Sequence, residues 1–138
     1  MNEPDSQLQE ALHSSGYSLT TARRAVFTAL RGNDPQTMRE LVIRCPDIDR
    51  ASVYRTVALF ENFGIVQRLQ IGWKYKLELS DQYAPHHHHA SCQNCSKIIA
   101  LPEDTVLEKR LLELAKAHNF QPQDHQLEIR GLCASCHN

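Results

Sequence analysis

Two Cys-x-x-Cys pairs, Cys92/Cys95 and Cys133/Cys136, bracket the last third of this chain, and four consecutive histidines, His86 to His89, run directly into the first pair. No other feature restricts the fold as strongly. A two-residue gap lets both sulfurs of a pair reach one ion from a single turn, and four thiolates favour tetrahedral zinc. The 37 residues between the pairs exceed the about 15–20 of a simple zinc ribbon. An ion held by all four sulfurs would therefore staple the last turn to the first strand of a whole domain. Closing a long loop in this way stabilises a unit of roughly 50 residues whose core alone is thin. A redox dithiol and unrelated thiols are the alternatives, but neither pair opens a helix after a strand, as a thioredoxin-like site requires. Cys45, beside Pro46, reads as a small buried residue.

The histidines sit mid-chain and number only four, which does not suit a purification tag. In an extended segment His86 and His88 face one way while His87 and His89 face the other. Four adjacent ligands would thus serve two separate sites, with Glu78, Glu108 and His125 as the best-placed partners; solvent-exposed imidazoles are the alternative. Mixtures of histidine and carboxylate suit Zn(II), Fe(II), Mn(II) or Co(II), held more reversibly than by four thiolates. His13, His118 and His137 are expected on the surface.

The chain has 138 residues, of which 41% are hydrophobic and 22% charged, an ordinary balance for a globular protein. No apolar run approaches the ~20 residues of a membrane helix, and the N-terminus has no signal-peptide pattern, so a cytoplasmic address is expected. Net charge is -1; any binding of nucleic acid must rest on a local basic face.

Residues 1–80 read as a winged helix-turn-helix, 81–85 as a polar hinge ending in proline, and 86–138 as a small α/β dimerisation domain, an α+β chain overall. The spacing predicts a helix over 6–14 closed by Gly16. A second is capped by Thr20 or Thr21, with Ala22, Val26, Ala29 and Leu30 on one face. A short helix stops at Pro46. In "DIDRASVYRTVALFENFG", Asp49 caps a helix whose buried stripe is Val53, Val57, Phe60 and Phe63. Its other face shows Ala51, Ser52, Tyr54, Arg55, Ala58 and Asn62, flat enough for close approach to DNA. A hairpin follows in "IVQRLQIGWKYKLELS", with Ile71 and Gly72 as the turn. A small helical domain with no role on DNA is the alternative to this reading. Beyond the hinge, a strand over 86–92, a strand over 97–101, a helix from Pro102 to about His118 and a strand over 125–132 are expected. Leu107, Leu111, Leu114 and Ala115 should form that helix's apolar side. An exposed sheet edge there invites a second copy.

These features together resemble the ferric uptake regulator (Fur) superfamily of metal-dependent repressors. "LTTARRAVFTAL", "ASVYRTVALFENFGIV", the histidine run before Cys-x-x-Cys and "GLCASC" fall in the family's order across roughly residues 8–136. The resemblance implies a structural zinc on Cys92, Cys95, Cys133 and Cys136, and operator contacts from Arg23, Tyr54 and Arg55; Arg23, Arg24, Lys74 and Lys76 would then meet phosphates while Tyr54 and Arg55 read bases. It implies an inter-domain sensing site on Glu78, His87 and His89, and a second site on His86, His88, Glu108 and His125. The expected regulatory ion is Fe(II), Mn(II) or Zn(II), and the expected partners are a second copy of the chain and a palindromic double-stranded operator. The chain departs from the family in reading "NDPQT" where a histidine usually opens the third helix, and in carrying His88 where an aspartate is common. The rival readings are a redox or peroxide sensor of the same family and a zinc buffer without metal-dependent DNA binding. A metallohydrolase has little support, because no His-Glu-x-x-His motif is present.

Overall fold

Local helix signals dominate the first half of the chain, and they place its elements almost residue by residue. The computed structural model describes residues 3–71 and 73–137 and divides into two units, Met1–Ala84 and Pro85–Asn138.

The first unit runs α1 (Glu3–Ser14), α2 (Thr21–Leu30), α3 (Met38–Arg44), α4 (Arg50–Asn62), β1 (Val66–Ile71) and β2 (Lys74–Leu79). Side chains cap three of the helices. Thr20 accepts from the Arg23 N–H, Thr37 from the Glu40 N–H and Asp49 from the Ser52 N–H, each satisfying a donor that the first turn leaves unpaired. Gly64, at φ +70°, ends α4; the Ile65 N–H donates back to the Phe60 carbonyl at 2.8 Å, the left-handed stop for which glycine is favoured. Glu3 and Asp5 lie in the first turn of α1, where acids suit the helix dipole, and the helix starts three residues before the sequence expectation.

The core of this unit gathers Leu8, Leu12, Val26, Phe27, Leu30, Leu41, Val53, Val57, Phe60, Ile65 and Leu77. On α2 the buried stripe is Val26, Phe27 and Leu30, so Phe27 joins the expected face while Ala22 and Ala29 are only half-buried. On α4 Thr56 is buried and Phe63 half-buried, its ring edge-on to Tyr17 at 5.3 Å. The antiparallel hairpin pairs Val66 with Leu79 and Ile71 with Lys74. Ile71 therefore belongs to the strand rather than the turn, and Gly72 lies outside the described residues. Gln36 adds one more rung: its N–H donates to the Leu77 carbonyl at 2.9 Å and its carbonyl accepts from the Leu77 N–H at 2.6 Å. Arg68 on β1 forks onto Glu61 of α4 at 2.6 and 3.0 Å and lies over the Tyr75 ring, which braces the wing against the helix. Residues 81–84 stay with this unit, since Tyr83 and Ala84 pack on its core.

The second unit runs β3 (His87–Cys92), β4 (Ile98–Pro102), α5 (Thr105–Ala117) and β5 (Glu128–Gly131), with strand order β4-β3-β5. β3 pairs antiparallel with β4 and parallel with β5. α5 begins at Thr105 because the Asp104 carboxylate caps it, accepting from the N–H groups of Val106 and Leu107. Pro102 instead ends β4. β5 is shorter than the expected 125–132. No residue of α5 is fully buried, all four residues of β5 are exposed, and Leu114, expected on the apolar side, is 44% exposed. No helix among the described residues is long and apolar enough to cross a membrane.

Candidate metal centres and nucleic-acid interface

β3 delivers Cys92 at its end and the following turn delivers Cys95, while the turn after β5 delivers Cys133 and Cys136. The parallel pairing of β3 with β5 sets Cys92 opposite Gly131, which brings the two pairs together. The four sulfurs lie within 4.8 Å of one another, and Cys95 Sγ stands 3.7 Å from Cys133 Sγ. Four thiolates at Zn–S ≈ 2.3 Å in a tetrahedron would stand about 3.8 Å apart, so the donor set fits zinc. All five cysteines are free thiols. The N–H groups of Cys95 and Cys133 donate to Cys92 Sγ at 3.5 and 3.3 Å. These donors, Cys95 first, pull the Cys92 pKa down to about 6. The Asn94 amide, 3.3 Å from Cys136 Sγ, would lower that thiol as well. Its hydrogen bonds to the neighbouring cysteines, together with burial, outweigh Asn94 and push it up to about 11. Cys92 Sγ is thus poised as an anion, the charge that a bound cation would require.

On one face of β3 and its approach, His86 and His88 meet Glu108 from α5 and His125 from the segment before β5. Glu108 Oε1 lies 3.0 Å from His86 Nε2 and 2.6 Å from His88 Nε2; Glu108 Oε2 lies 2.6 Å from His125 Nε2. His86 and His125 bring their Nε2 atoms to 3.2 Å. His88 is 4% exposed. Burial raises the Glu108 pKa, but the His88 hydrogen bond and the charges of His125 and His86 reverse this and hold it below the usual carboxylate range. Three imidazole nitrogens and an ionised carboxylate converge within 4.8 Å, a donor set suited to a divalent transition metal.

On the other face, the rings of His87 and His89 stand 4.7 Å apart. His87 Nδ1 lies 2.8 Å from the Pro85 carbonyl, which can only accept, so Nδ1 donates this hydrogen bond. Glu78 belongs to the first unit, on β2, where it accepts from Gln67 Nε2 at 2.7 Å.

The exposed side of α4 carries Ala51, Tyr54, Arg55, Ala58 and Asn62, with Ser52 half-buried beside them. Asp49 accepts from the Ser52 hydroxyl at 2.6 Å and Ser52 from Arg55 Nη2 at 3.1 Å. The Ser52 hydrogen bonds hold the Asp49 carboxyl below its ordinary range. Arg23 donates to the Ser18 carbonyl at 2.7 Å and lies over Tyr17, while Arg24 and Lys74 are exposed. Sequence reasoning missed Arg50, whose Nη2 lies 3.3 Å from the Tyr54 hydroxyl. Its signal was present in the four-residue spacing of Arg50 and Tyr54 on one helix.

The sequence model of the ferric uptake regulator family matches residues 14–130. A ferric uptake regulation protein of Campylobacter jejuni is 31% identical over 140 residues, covering 96% of this chain and 87% of its own. The crystal structure of the Vibrio cholerae ferric uptake regulator superposes with a TM-score of 0.67 at 32% identity, over 91% of this chain and 99% of that one. The Helicobacter pylori regulator shares the fold at a TM-score of 0.78 and 23% identity, over 98% of this chain and 92% of its own. The winged first unit, the thinly cored second unit and these matches agree: the chain belongs to the ferric uptake regulator family of metal-responsive transcriptional regulators.

Proposed function

We propose that the chain is a homodimeric repressor, activated by a divalent metal and held together by a structural zinc on Cys92, Cys95, Cys133 and Cys136. The observation that carries the reading is the convergence of His86, His88, Glu108 and His125, complete within one unit. That set ties α5 to β3 in a unit that otherwise buries little. The resemblance assigns the sensing role to Glu78, His87 and His89, and this reading keeps that assignment. A bound ion supplies the positive charge that holds several such ligands at one spacing. Such an ion would act by population shift, because the ligand arrangement of the DNA-competent form must bind it more tightly than that of the open form.

The second unit is the dimerisation surface: Val106, Leu112, Leu114, Ile129 and Leu132 are exposed on α5 and at the β5 edge, and a second copy would cover them. Two copies place two α4 helices to enter successive major grooves of a palindromic operator. Tyr54 and Arg55 read bases, with Ser52 fixing Arg55. Arg23, Arg24, Lys74 and Lys76 contact phosphates and make the affinity salt-dependent.

Fe(II), Mn(II) and Zn(II) titrated separately over chelated protein, with the cysteine-bound zinc retained, should each be followed by electrophoretic shift on genomic fragments. The expected result is a metal-dependent gain in affinity for a subset of fragments. Equal binding by ion-free and ion-loaded protein at fixed salt would instead mark a zinc buffer.

A further inference from the structure

Arg50 opens α4 directly after its cap, and no acidic residue occupies that first turn. A cation there opposes the positive end of the helix dipole, so helix chemistry does not account for it. Its guanidinium instead lies 5.3 Å from the centre of the Tyr54 ring, and Nη2 donates to the Tyr54 hydroxyl at 3.3 Å. Tyr54 is 41% exposed on a face where Ala51 and Ala58 are also exposed, so the phenol stands above a flat surface. A planar guanidinium can cover a ring and still direct other N–H groups outward, which an ammonium cannot do.

We propose that Arg50 is a positioning residue for operator recognition. It holds the Tyr54 ring in place on α4 before docking and offers its remaining N–H groups to a backbone phosphate. Base reading by Tyr54 is thereby tied to a phosphate contact, and the ordering of the phenol is complete before the complex forms. The proposal rests on the operator-reading role assigned to Tyr54.

The test uses the full-length, Mn(II)-loaded protein. Its probe is a duplex recovered from a randomised pool by the wild type, measured beside all single-base-pair variants of that duplex. Tyr54→Ala identifies the base pair at which discrimination depends on Tyr54. Arg50→Ala is expected to flatten discrimination at that same base pair by about threefold to tenfold. It should also reduce the steepness of the salt dependence by about one phosphate contact. Arg50→Lys should restore the salt dependence but not the discrimination. In a Tyr54→Ala background, Arg50→Ala should change only the salt dependence. Retained discrimination in Arg50→Ala overturns the proposal, as does a loss that adds in full to that of Tyr54→Ala. A Tyr54→Ala profile flat at no base pair overturns the reading role itself, whatever Arg50 does. Unchanged zinc content and melting temperature distinguish these outcomes from misfolding, since Arg50 is exposed.

Discussion

Replacing Cys133 by serine removes one of four thiolates while leaving the N–H that donates to Cys92 Sγ. The two Cys-x-x-Cys pairs close 37 residues of chain. Treated as a cross-link, a loop of that length restricts the unfolded chain by about 4 kcal/mol. Against this, the fully buried residues described in the second unit are His88, Ser91, Cys92 and Ile98. Only Cys92 and Ile98 of these are apolar, and fully burying an aliphatic side chain contributes about 1.5–3 kcal/mol. The cross-link is therefore worth as much as the apolar core it supplements. Cys133→Ser should lose its zinc, lose hydrogen-exchange protection throughout residues 85–137 and fail to dimerise. The first unit, with its core from Leu8 to Leu79, should stay protected. Zinc per chain by mass spectrometry, exchange rates mapped by unit and size-exclusion mass together measure this. Chelator-stripped wild type should behave as the mutant does. A mutant dimer with wild-type protection in residues 85–137 and no tightly bound zinc would refute the cross-link argument.

Three further outcomes are expected. Arg55→Ala should weaken binding to a palindromic operator by about 1–3 kcal/mol without loosening the dimer, read by fluorescence anisotropy and sedimentation; equal operator affinity would remove Arg55 from the interface. Phe60→Ala, at a fully buried core position, should destabilise the first unit by about 3–5 kcal/mol in denaturant melts while leaving zinc bound to the second. Glu108→Gln removes the one carboxylate from the histidine cluster and should cut affinity there by more than about tenfold, with the cysteine-bound zinc intact; calorimetric titration checks this.

Much of the first unit was legible because its signals are local. Thr20, Thr37 and Asp49 cap helices through hydrogen bonds to residues three positions away. The stripe of Val53, Val57 and Phe60 is a direct consequence of 3.6 residues per turn. Where that reading slipped, a longer-range contact had decided. Ile71 stays in the strand because Lys74 pairs with it. Gln36 joins the wing because Leu77 lies opposite, a pairing across forty residues that no local pattern announces.

The candidate metal sites divide in the same way. Sequence alone determined which residue types were available, that the two cysteine pairs suit one ion, and that alternate histidines face opposite ways, because bond geometry and strand periodicity are properties of the chain itself. Only the tertiary structure decided that β5 runs parallel to β3 and carries Cys133 to Cys92, and that α5 turns Glu108 toward His86 and His88. It likewise decided that Arg50 lies over Tyr54 rather than reaching into solvent. Those outcomes depend on which strand edges pair, where a cap starts a helix and which rotamers the neighbours leave open, and the linear order of residues does not encode these separately from the fold.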